Sequence, residues 1–169
     1  MTCSPDLTST DYPTRCCEVS LLAWWRSLEN HRGDRAELRR CADLLQVMQT
    51  EAFHLARARL IAAGLSAEAS RSPRLAAIVA LAAHVTAPSE ASLPGAFSAG
   101  DKNAVSPLRF RQILDAVDDD ELFTRLRRVL PLIDGNVSLP ALAADVWYWG
   151  DSVRKRWVYD YRWPDKQSA

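Results

Sequence analysis

The spacing of the apolar residues constrains the fold of this chain more than any other feature of its sequence. Leu21, Trp24 and Leu28 begin a pattern that returns every three or four positions, and it is still present between Leu142 and Trp157. That period places apolar side chains on one face of an α-helix, whereas a half-buried strand needs strict alternation of apolar and polar residues. No stretch combines such alternation with β-branched residues, so the sequence predicts an all-α protein with no sheet.

Residues that cap helices divide the pattern into about seven to nine predicted helices. Their side chains accept hydrogen bonds from the free amides of the first turn. Asp34 and Glu37 have the spacing of a capping box, in which cap and third residue each satisfy an amide of the other. The apolar pattern also continues across Gly150, which predicts one long helix that is kinked or interrupted there. The other predicted caps are Thr50, Ser72, Ser106 and Ser138.

The chain length of 169 residues suits one compact domain with two helical lobes. Residues 1–15 are rich in Thr, Ser and Pro, which predicts a disordered tail. Residues 16–87 form the predicted N-terminal lobe, in which the alanine-rich helix over residues 73–86 is apolar nearly all round and should be central. Residues 88–105 are predicted to be a long loop between the lobes, and residues 106–169 form the C-terminal lobe.

The numbers of basic and acidic residues are equal, so the net charge gives no information about binding partners. The chain has 21 Lys and Arg against 21 Asp and Glu, so net charge predicts neither a nucleic acid nor a membrane as partner. No apolar run approaches the roughly 20 residues that a bilayer-spanning helix requires. The N-terminal residues also lack the basic and apolar segments of a secretory signal. We therefore expect a cytoplasmic protein with no membrane contact.

Sequence patterns typical of enzymes are missing. The glycines form no phosphate-binding loop, and no serine stands in a G-x-S-x-G setting. His31, His54 and His84 lie far apart, and the cysteines have no C-x-x-C spacing, so we expect no metal and no cofactor. The acidic residues at 118–121 are better explained as helix-capping groups than as ligands of Mg²⁺. The sequence predicts a protein that is not an enzyme.

Arginine dominates the basic residues, since Lys102, Lys155 and Lys166 are the only lysines. The arginines occur mainly in pairs that flank the apolar faces of predicted helices. Such pairs suit a solvated face with local ion pairs, and they also suit a band that follows a phosphate backbone. The residues alone leave both interpretations open. The six tryptophans are best explained as packing residues, because most of them fall within apolar runs.

Six stretches, five of which contain arginine or tryptophan, follow one another across residues 20–163. They are residues 25–30, 36–41, 51–54, 109–114, 126–130 and 146–157. In this order they resemble the CasB family, the small subunit of the type I-E CRISPR surveillance complex Cascade. The most specific part is the W-x-W-G sequence formed by Trp147, Trp149 and Gly150 with the tyrosine between the tryptophans.

This resemblance implies an all-helical, non-catalytic subunit that serves antiviral defence and is present in two copies. Its implied partners are the backbone subunits that carry the crRNA, the large subunit, a second copy of itself, the crRNA and the target DNA. It would stabilise crRNA-paired target DNA and the displaced single strand through an arginine-rich surface. No sequence specificity is implied, because base pairing with the guide reads the sequence.

Carried over position by position, the resemblance implies a set of basic residues that bind nucleic acid. One position departs from the family pattern, since Leu55 stands where members often have a basic residue. Arg57, two residues further on, is the replacement and points to a different helix face. The implied residues are Arg39, Arg40, Arg57, Arg109, Arg111, Arg127, Arg128, Arg154, Lys155 and Arg156.

An alternative is a sequence-specific regulator with a helix-turn-helix motif. Residues 107–117 and 120–130 would be its two helices, with Thr124, Arg125 and Arg128 facing the bases. A helical adaptor that binds no nucleic acid is a third possibility. It would require the arginine pairs to be matched by carboxylates.

Overall fold

The protein is described by a computed structural model over residues 15–165, which contain ten α-helices, two 3₁₀ helices and no strand. The all-α class predicted from the sequence is confirmed. The 3₁₀ helices are Ala69–Arg71 and Leu130–Ile133. The α-helices are α1 (Arg15–Ser27), α2 (Arg32–Arg40), α3 (Leu44–Met48), α4 (Glu51–Ala62), α5 (Pro73–Ala82), α6 (Leu93–Phe97), α7 (Pro107–Leu114), α8 (Asp119–Val129), α9 (Leu139–Trp147) and α10 (Asp151–Asp160).

The chain divides into two units, Met1–Ala83 and His84–Ala169, and we refer to them as the first and second unit. Most of the predicted disordered tail, residues 1–14, lies outside the described residues, and Arg15 is the first residue of α1. The predicted division into lobes at residues 88 and 105 stays a prediction. Across residues 15–165, no helix combines the length and the apolar character needed to cross a membrane.

Most of the predicted helix starts are confirmed by their hydrogen bonds. Thr50 Oγ1 accepts the N–H of Phe53 at 3.2 Å, and Ser72 Oγ accepts the N–H of Arg74 at 3.3 Å. The caps Ser106 and Ser138 accept amide hydrogens in the same way. Asp118 caps α8, and its Oδ1 accepts the N–H of Glu121 at 2.8 Å. The capping explanation of this acidic cluster is therefore confirmed for Asp118.

The capping box predicted at Asp34 is wrong. α2 begins at Arg32, with His31 at the cap position and no side-chain hydrogen bond to the first turn. The turn that closes α1 leads directly into α2, because the N–H of His31 bonds to Leu28 O and the N–H of Arg35 bonds to His31 O. Asp34 therefore lies inside the first turn, where its charge favours the helix dipole.

A short helix that the sequence did not predict, α6, lies within residues 88–105, where the sequence predicts a loop. Ser92 caps it, and Leu93 and Phe97 are fully buried. Phe97 O also accepts the N–H of Val105 at 3.0 Å, which folds the segment onto itself. A helix of five residues is too short to show an apolar period, so the sequence pattern does not reveal it.

The core of the first unit is built around α5. Every residue from Leu75 to Ala82 is buried, which confirms that this helix is the most enclosed one. It packs against α2, α3 and α4, and α1 packs against α4. The helix ends at Ala82, four residues before the predicted end.

The core of the second unit is aromatic. The rings of Phe110 and Tyr161 stack with centroids 4.1 Å apart, and Trp157 meets Trp149 edge to face at 4.9 Å. The predicted interruption near Gly150 is confirmed, since α9 ends at Trp147 and α10 begins at Asp151. The packing role predicted for the tryptophans is confirmed for the buried Trp24, Trp25, Trp149 and Trp157, whereas Trp163 is 38% exposed.

A turn at Asp134 and Gly135 fixes the first residues of the second unit. Gly135 has φ +64°, and a Cβ atom there would lie 2.1 Å from His84 O. Thr86 donates its N–H to Gly135 O at 3.2 Å and its hydroxyl to Asp134 O at 2.5 Å. Only glycine fits this close approach of two backbone segments.

Candidate nucleic-acid interface

Arg57 is occupied by contacts inside the first unit. Its Nε donates to Ser70 O at 3.0 Å and its Nη2 donates to Ser70 Oγ at 2.9 Å. Ser70 is 1% exposed, so the guanidinium joins α4 to the 3₁₀ helix that precedes α5. Leu55, where the family pattern has a basic residue, is exposed. The shift of charge to Arg57 therefore gives this helix an inward-facing arginine.

Arg39 also contacts the fold of the first unit. Its Nε donates to Ala83 O at 2.7 Å, at the C-terminal end of α5, where a positive charge favours the helix dipole. Arg35, one turn earlier on α2, lies over the ring of Trp25 at 6.0 Å. Burial, followed by the nearby charge of Arg39, lowers the pKa of Arg35. Arg40 is exposed at the end of the same helix.

On α10, three basic residues in sequence have different surroundings. Arg154 donates from Nη2 to Ala116 O at 2.8 Å and lies 5.7 Å from the ring centroid of Trp149. Arg156 forms an ion pair with Asp145 of α9. Lys155 stands between them and is exposed.

Asp145 links the interrupted helices α9 and α10. Its Oδ2 accepts the Nε1–H of Trp157 at 2.8 Å, and its other oxygen pairs with Arg156. Burial raises the pKa of the Asp145 carboxyl, and the hydrogen bond from Trp157 and the charge of Arg156 offset this only in part. The Trp157 hydrogen bond connects residues that a continuous helix would hold about 18 Å apart.

Three arginines from α7 and α8 surround an open cavity of about 300 Å³. Arg109 comes from α7, and Arg125 and Arg128 come from α8. We call this cavity the α7–α8 pocket. Its lining consists of Arg109, Gln112, Ile113, Arg125, Arg128, Val129 and Leu132.

Positive charge is in excess around the α7–α8 pocket. Arg125 forms an ion pair with Glu121 through Nη2, but its Nη1 is buried and has no hydrogen-bond partner among the described residues. Within residues 15–165, Arg109 and Arg128 form no ion pair, and both are exposed. The lining of the pocket therefore holds three guanidinium groups and no carboxylate, and Glu121 pairs with one of the three.

The remaining predicted arginines of this region lie outside the α7–α8 pocket. Arg111 is exposed, and its guanidinium lies over the ring of Trp163 at 5.2 Å. Trp163 is 38% exposed and donates its Nε1–H to Val158 O at 2.9 Å. Arg127 is half-buried on another face of α8. Arg111 and Trp163 thus place a cation and an accessible indole side by side.

Arg125 and Gln112 are the polar pocket residues that were not among the predicted nucleic-acid-binding residues. Arg109 with Gln112, and Arg125 with Arg128, are each three positions apart, which places each pair on one face of its helix. The prediction grouped arginines that are adjacent or two apart in sequence, such as Arg127 with Arg128. A search for polar residues three positions apart, which share a helix face, could have predicted the pocket residues from the sequence.

No group of three His, Cys, Asp or Glu side chains lies close enough to hold a metal ion in the part of the chain that the structure describes. Guanidinium groups bind oxyanions through paired hydrogen bonds, and the exposed ones are placed to do so.

Comparison with known proteins identifies the family. The family model described as CRISPR-associated protein Cse2 matches residues 34–161. No curated protein sequence matches the chain. A chain from the crystal structure of E. coli Cascade bound to a PAM-containing double-stranded DNA target has the same fold, with a TM-score of 0.63 and 23% identity. The match covers 85% of this chain and 92% of that one. Because the family model spans well over half of the 169 residues, the chain belongs to the CRISPR-associated Cse2 family, which is the CasB family that its sequence resembles.

Proposed function

We propose that this chain is a non-catalytic subunit of a type I-E Cascade complex in antiviral defence, where it binds nucleic acid without sequence specificity. Its partners in that complex are the crRNA-carrying backbone subunits, the large subunit and a second copy of itself. It stabilises crRNA-paired target DNA and the displaced single strand. Family membership and the fold shared with a chain of E. coli Cascade support this assignment.

The observation that carries the nucleic-acid part of the proposal is the convergence of Arg109, Arg125 and Arg128 on a pocket whose lining contains no carboxylate. Like charges repel one another, so a cluster of this kind is stabilised by an anionic ligand. Guanidinium groups match the geometry of phosphate oxygens, and nucleic acids supply a dense row of phosphates.

Exposed basic residues outside the α7–α8 pocket contribute further contacts to the phosphates. Arg111, Lys155 and Arg40 are exposed, and Arg156 keeps more than half of its side-chain surface accessible despite its ion pair. Arg57 and Arg39, by contrast, hold the first unit together and contribute less to binding. Contacts of this kind go to the phosphates and carry no sequence information by themselves.

The test measures fluorescence anisotropy of the full chain with labelled single strands of two unrelated sequences. We expect equal affinity for both sequences and a log–log salt slope of about −3, which corresponds to about four phosphate contacts. The strands should stay intact when Mg²⁺ is added, as expected of a non-catalytic subunit. Affinity that is equal at about 50 and about 300 mM salt would contradict the proposal.

The same measurement separates the proposal from the helix-turn-helix alternative. A sequence-specific regulator would protect one duplex sequence and leave a scrambled duplex unprotected. In the structure, Thr124 is half-buried, so one of the three side chains assigned to base reading is only partly accessible. A footprint confined to one duplex would favour the regulator.

A further inference from the structure

We propose that a pocket beside Trp163 binds one unpaired nucleobase of a single strand, stacked on the indole ring. The pocket is lined by residues 101–103, 106, 107 and 162–165, and we call it the Trp163 pocket. Its volume of about 580 Å³ lies within the range of roughly 300–1,000 Å³ found for small-molecule sites, so a purine or a pyrimidine fits. The identity of the strand rests on the function proposed above, whereas the ligand of the pocket is a neutral base and not a phosphate.

Trp163 offers an accessible ring that the fold holds in place. The residue is 38% exposed, and its Nε1–H is donated to Val158 O at 2.9 Å. Tyr161 and Phe110 meet the indole edge to face, with ring centroids 5.1 and 5.7 Å away. A ring that is fixed before binding loses little conformational freedom when a ligand stacks on it. Trp163 is therefore a preformed stacking platform.

A cation stands next to this platform. The guanidinium of Arg111 lies 5.2 Å from the centroid of the Trp163 ring, and Arg111 is exposed and forms no ion pair within residues 15–165. Arg111 does not line the Trp163 pocket, so the indole surface that faces the pocket is left for a ligand. Sites for single strands combine stacking on aromatic rings with nearby positive charge. A nucleotide matches both groups, with its base on the indole and its phosphate near the guanidinium.

The charges of the Trp163 pocket suit a neutral ligand. In its lining, Lys102 and Arg162 are balanced by Asp101 and Asp165, whereas the lining of the α7–α8 pocket has three guanidinium groups and no carboxylate. Carboxylates in a lining repel phosphate, so this balance argues against a phosphate inside the pocket. A base has no net charge but carries hydrogen-bond donors and acceptors on its edges, and the lining offers both kinds of group.

Hydrogen bonds join the two segments that line the Trp163 pocket. Asn103 donates its Nδ2–H to Arg162 O at 2.8 Å, and Arg162 donates its backbone N–H to Ser98 Oγ at 3.1 Å. The side chain of Arg162 also donates from Nη2 to Gly100 O. The two walls therefore keep their positions without a ligand.

A neutral proline-rich peptide is another ligand that stacks on indole rings. Pro107 and Pro164 add apolar surface to the lining, which suits a base and a peptide equally. Such a peptide carries no charge to pair with Arg111, whereas a strand brings a phosphate with each base. The position of Arg111 beside the ring therefore favours the base.

The first test compares two strands that carry the same number of phosphates. One is a short thymidine strand, and the other has the same length with abasic sites in place of the bases. Fluorescence anisotropy with the full chain measures both affinities at one salt concentration. We expect the thymidine strand to bind about tenfold more tightly, which is the size of effect that one stacked base produces.

Variants of exposed aromatic residues locate the effect. We expect Trp163→Ala to bind the thymidine strand about tenfold more weakly and to change the affinity for the abasic strand less than twofold. Trp163→Phe keeps a ring and should retain more of the affinity. Tyr159→Ala is the matched control, because this aromatic side chain is 88% exposed and does not line the pocket. We expect it to change the affinity for either strand less than twofold.

A second measurement uses the unmodified protein and does not depend on the folding of a variant. A strand that contains iodouracil forms a crosslink on irradiation with an aromatic side chain against which the base is stacked. Mass spectrometry of the digested complex identifies the crosslinked residue. We expect the crosslink at Trp163 and a loss of it when unlabelled thymidine strand is added in excess.

Equal affinities for the thymidine and abasic strands, or iodouracil crosslinks that do not include Trp163, overturn the base site alone, because strand binding through phosphates remains. Equal losses of affinity for both strands in Trp163→Ala also overturn it, since they would show a structural role for the ring. Binding of a polyproline peptide that Trp163→Ala abolishes, with strand binding unchanged, overturns it in favour of a protein partner. If neither strand binds at low salt, the proposed function and the base site both fail.

Discussion

Two arginines of the first unit and two of the second show opposite uses of the same residue type. In the first unit, Arg57 and Arg39 direct their hydrogen bonds to Ser70 and to Ala83 O, and they join elements of the fold. In the second unit, Arg109 and Arg128 border an open pocket and form no ion pair with any described residue. The role of an arginine is therefore decided by the acceptors within its reach.

The cores of the two units differ as well. The first is built around α5, whose buried residues are aliphatic, with many alanines. The second contains a cluster of rings that includes Phe110, Trp149, Trp157 and Tyr161. Large rings bury much area in a few residues, so the second core should be the more sensitive to a single truncation.

The largest effect expected from this difference is that of Trp157→Ala. The side chain is fully buried and contacts Phe97, Phe110 and Trp149, so we expect a loss of about 3–5 kcal/mol in unfolding free energy. Urea denaturation measures it. Trp163→Ala is the control, because that ring is 38% exposed and should cost less than half as much. Equal losses would show that the aromatic cluster is not the core of its unit.

The next largest effect concerns strand binding by the pocket arginines. We expect the double variant Arg109→Gln, Arg128→Gln to bind single strands about tenfold more weakly and to lower the magnitude of the salt slope by about 1.4. Both side chains are exposed, so unfolding free energy should change by less than about 0.5 kcal/mol.

The matched control for that variant is Arg59→Gln, Arg71→Gln, which neutralises two exposed arginines of the first unit. We expect less than a twofold change in its strand affinity. If the two double variants lose affinity equally, net charge explains binding and the contrast between the units disappears.

Arg57→Gln should show the reverse behaviour. Its loss leaves Ser70 O without its guanidinium donor, so we expect unfolding free energy to fall by about 1–2 kcal/mol, with strand affinity changed less than twofold. Urea denaturation and anisotropy measure the two effects, and Arg59→Gln is the single-site control. If the variant lost strand affinity while its unfolding free energy stayed unchanged, Arg57 would be a nucleic-acid-binding residue.

The smallest expected effect is the pH dependence of Asp145. Because burial raises its pKa, the native state binds a proton more readily than the unfolded chain does. Its contribution to stability is complete below the ordinary value of about 3.9 and is lost as pH rises through the raised pKa. Asp145→Asn cannot titrate, so its stability should vary less between about pH 4 and 6 in urea denaturation.

Two comparisons test this explanation. Asp145→Asn keeps an oxygen that accepts the Nε1–H of Trp157, whereas Asp145→Ala leaves that donor buried without its acceptor and should cost about 1–3 kcal/mol. A steeper pH dependence in the Asn variant than in the parent protein would contradict the assigned direction of the pKa.

Much of the fold could be predicted because its signals are local. Ser72 followed by a proline, or Ser106 followed by a proline, marks a helix start within two residues. The start of α2 was placed incorrectly because His31 provides no side-chain cap and the preceding turn leads straight into the helix. Local sequence patterns thus predict where the helices lie, but they do not predict the first residue of every helix.

The candidate site was harder to predict because it depends on which helix faces meet. Arg109 and Arg128 were predicted, but so was Arg57, whose partner Ser70 lies 13 residues away in a segment with no apolar period. Arg125 entered only as a base-reading residue of the alternative regulator, and its place in the pocket follows from the packing of α7 against α8. Sequence identifies the arginines, and packing decides which remain available.

The aromatic cluster of the second unit has a consequence for synthesis on the ribosome. Phe97 and Phe110 are translated early in this unit, yet Trp157 and Tyr161, which cover them, follow some 50 residues later. At about 5–20 residues per second, the nascent chain exposes these two rings for several seconds before the covering side chains leave the exit tunnel. Premature termination within α9 would leave them uncovered permanently, and such a fragment is a natural target for chaperones and proteases.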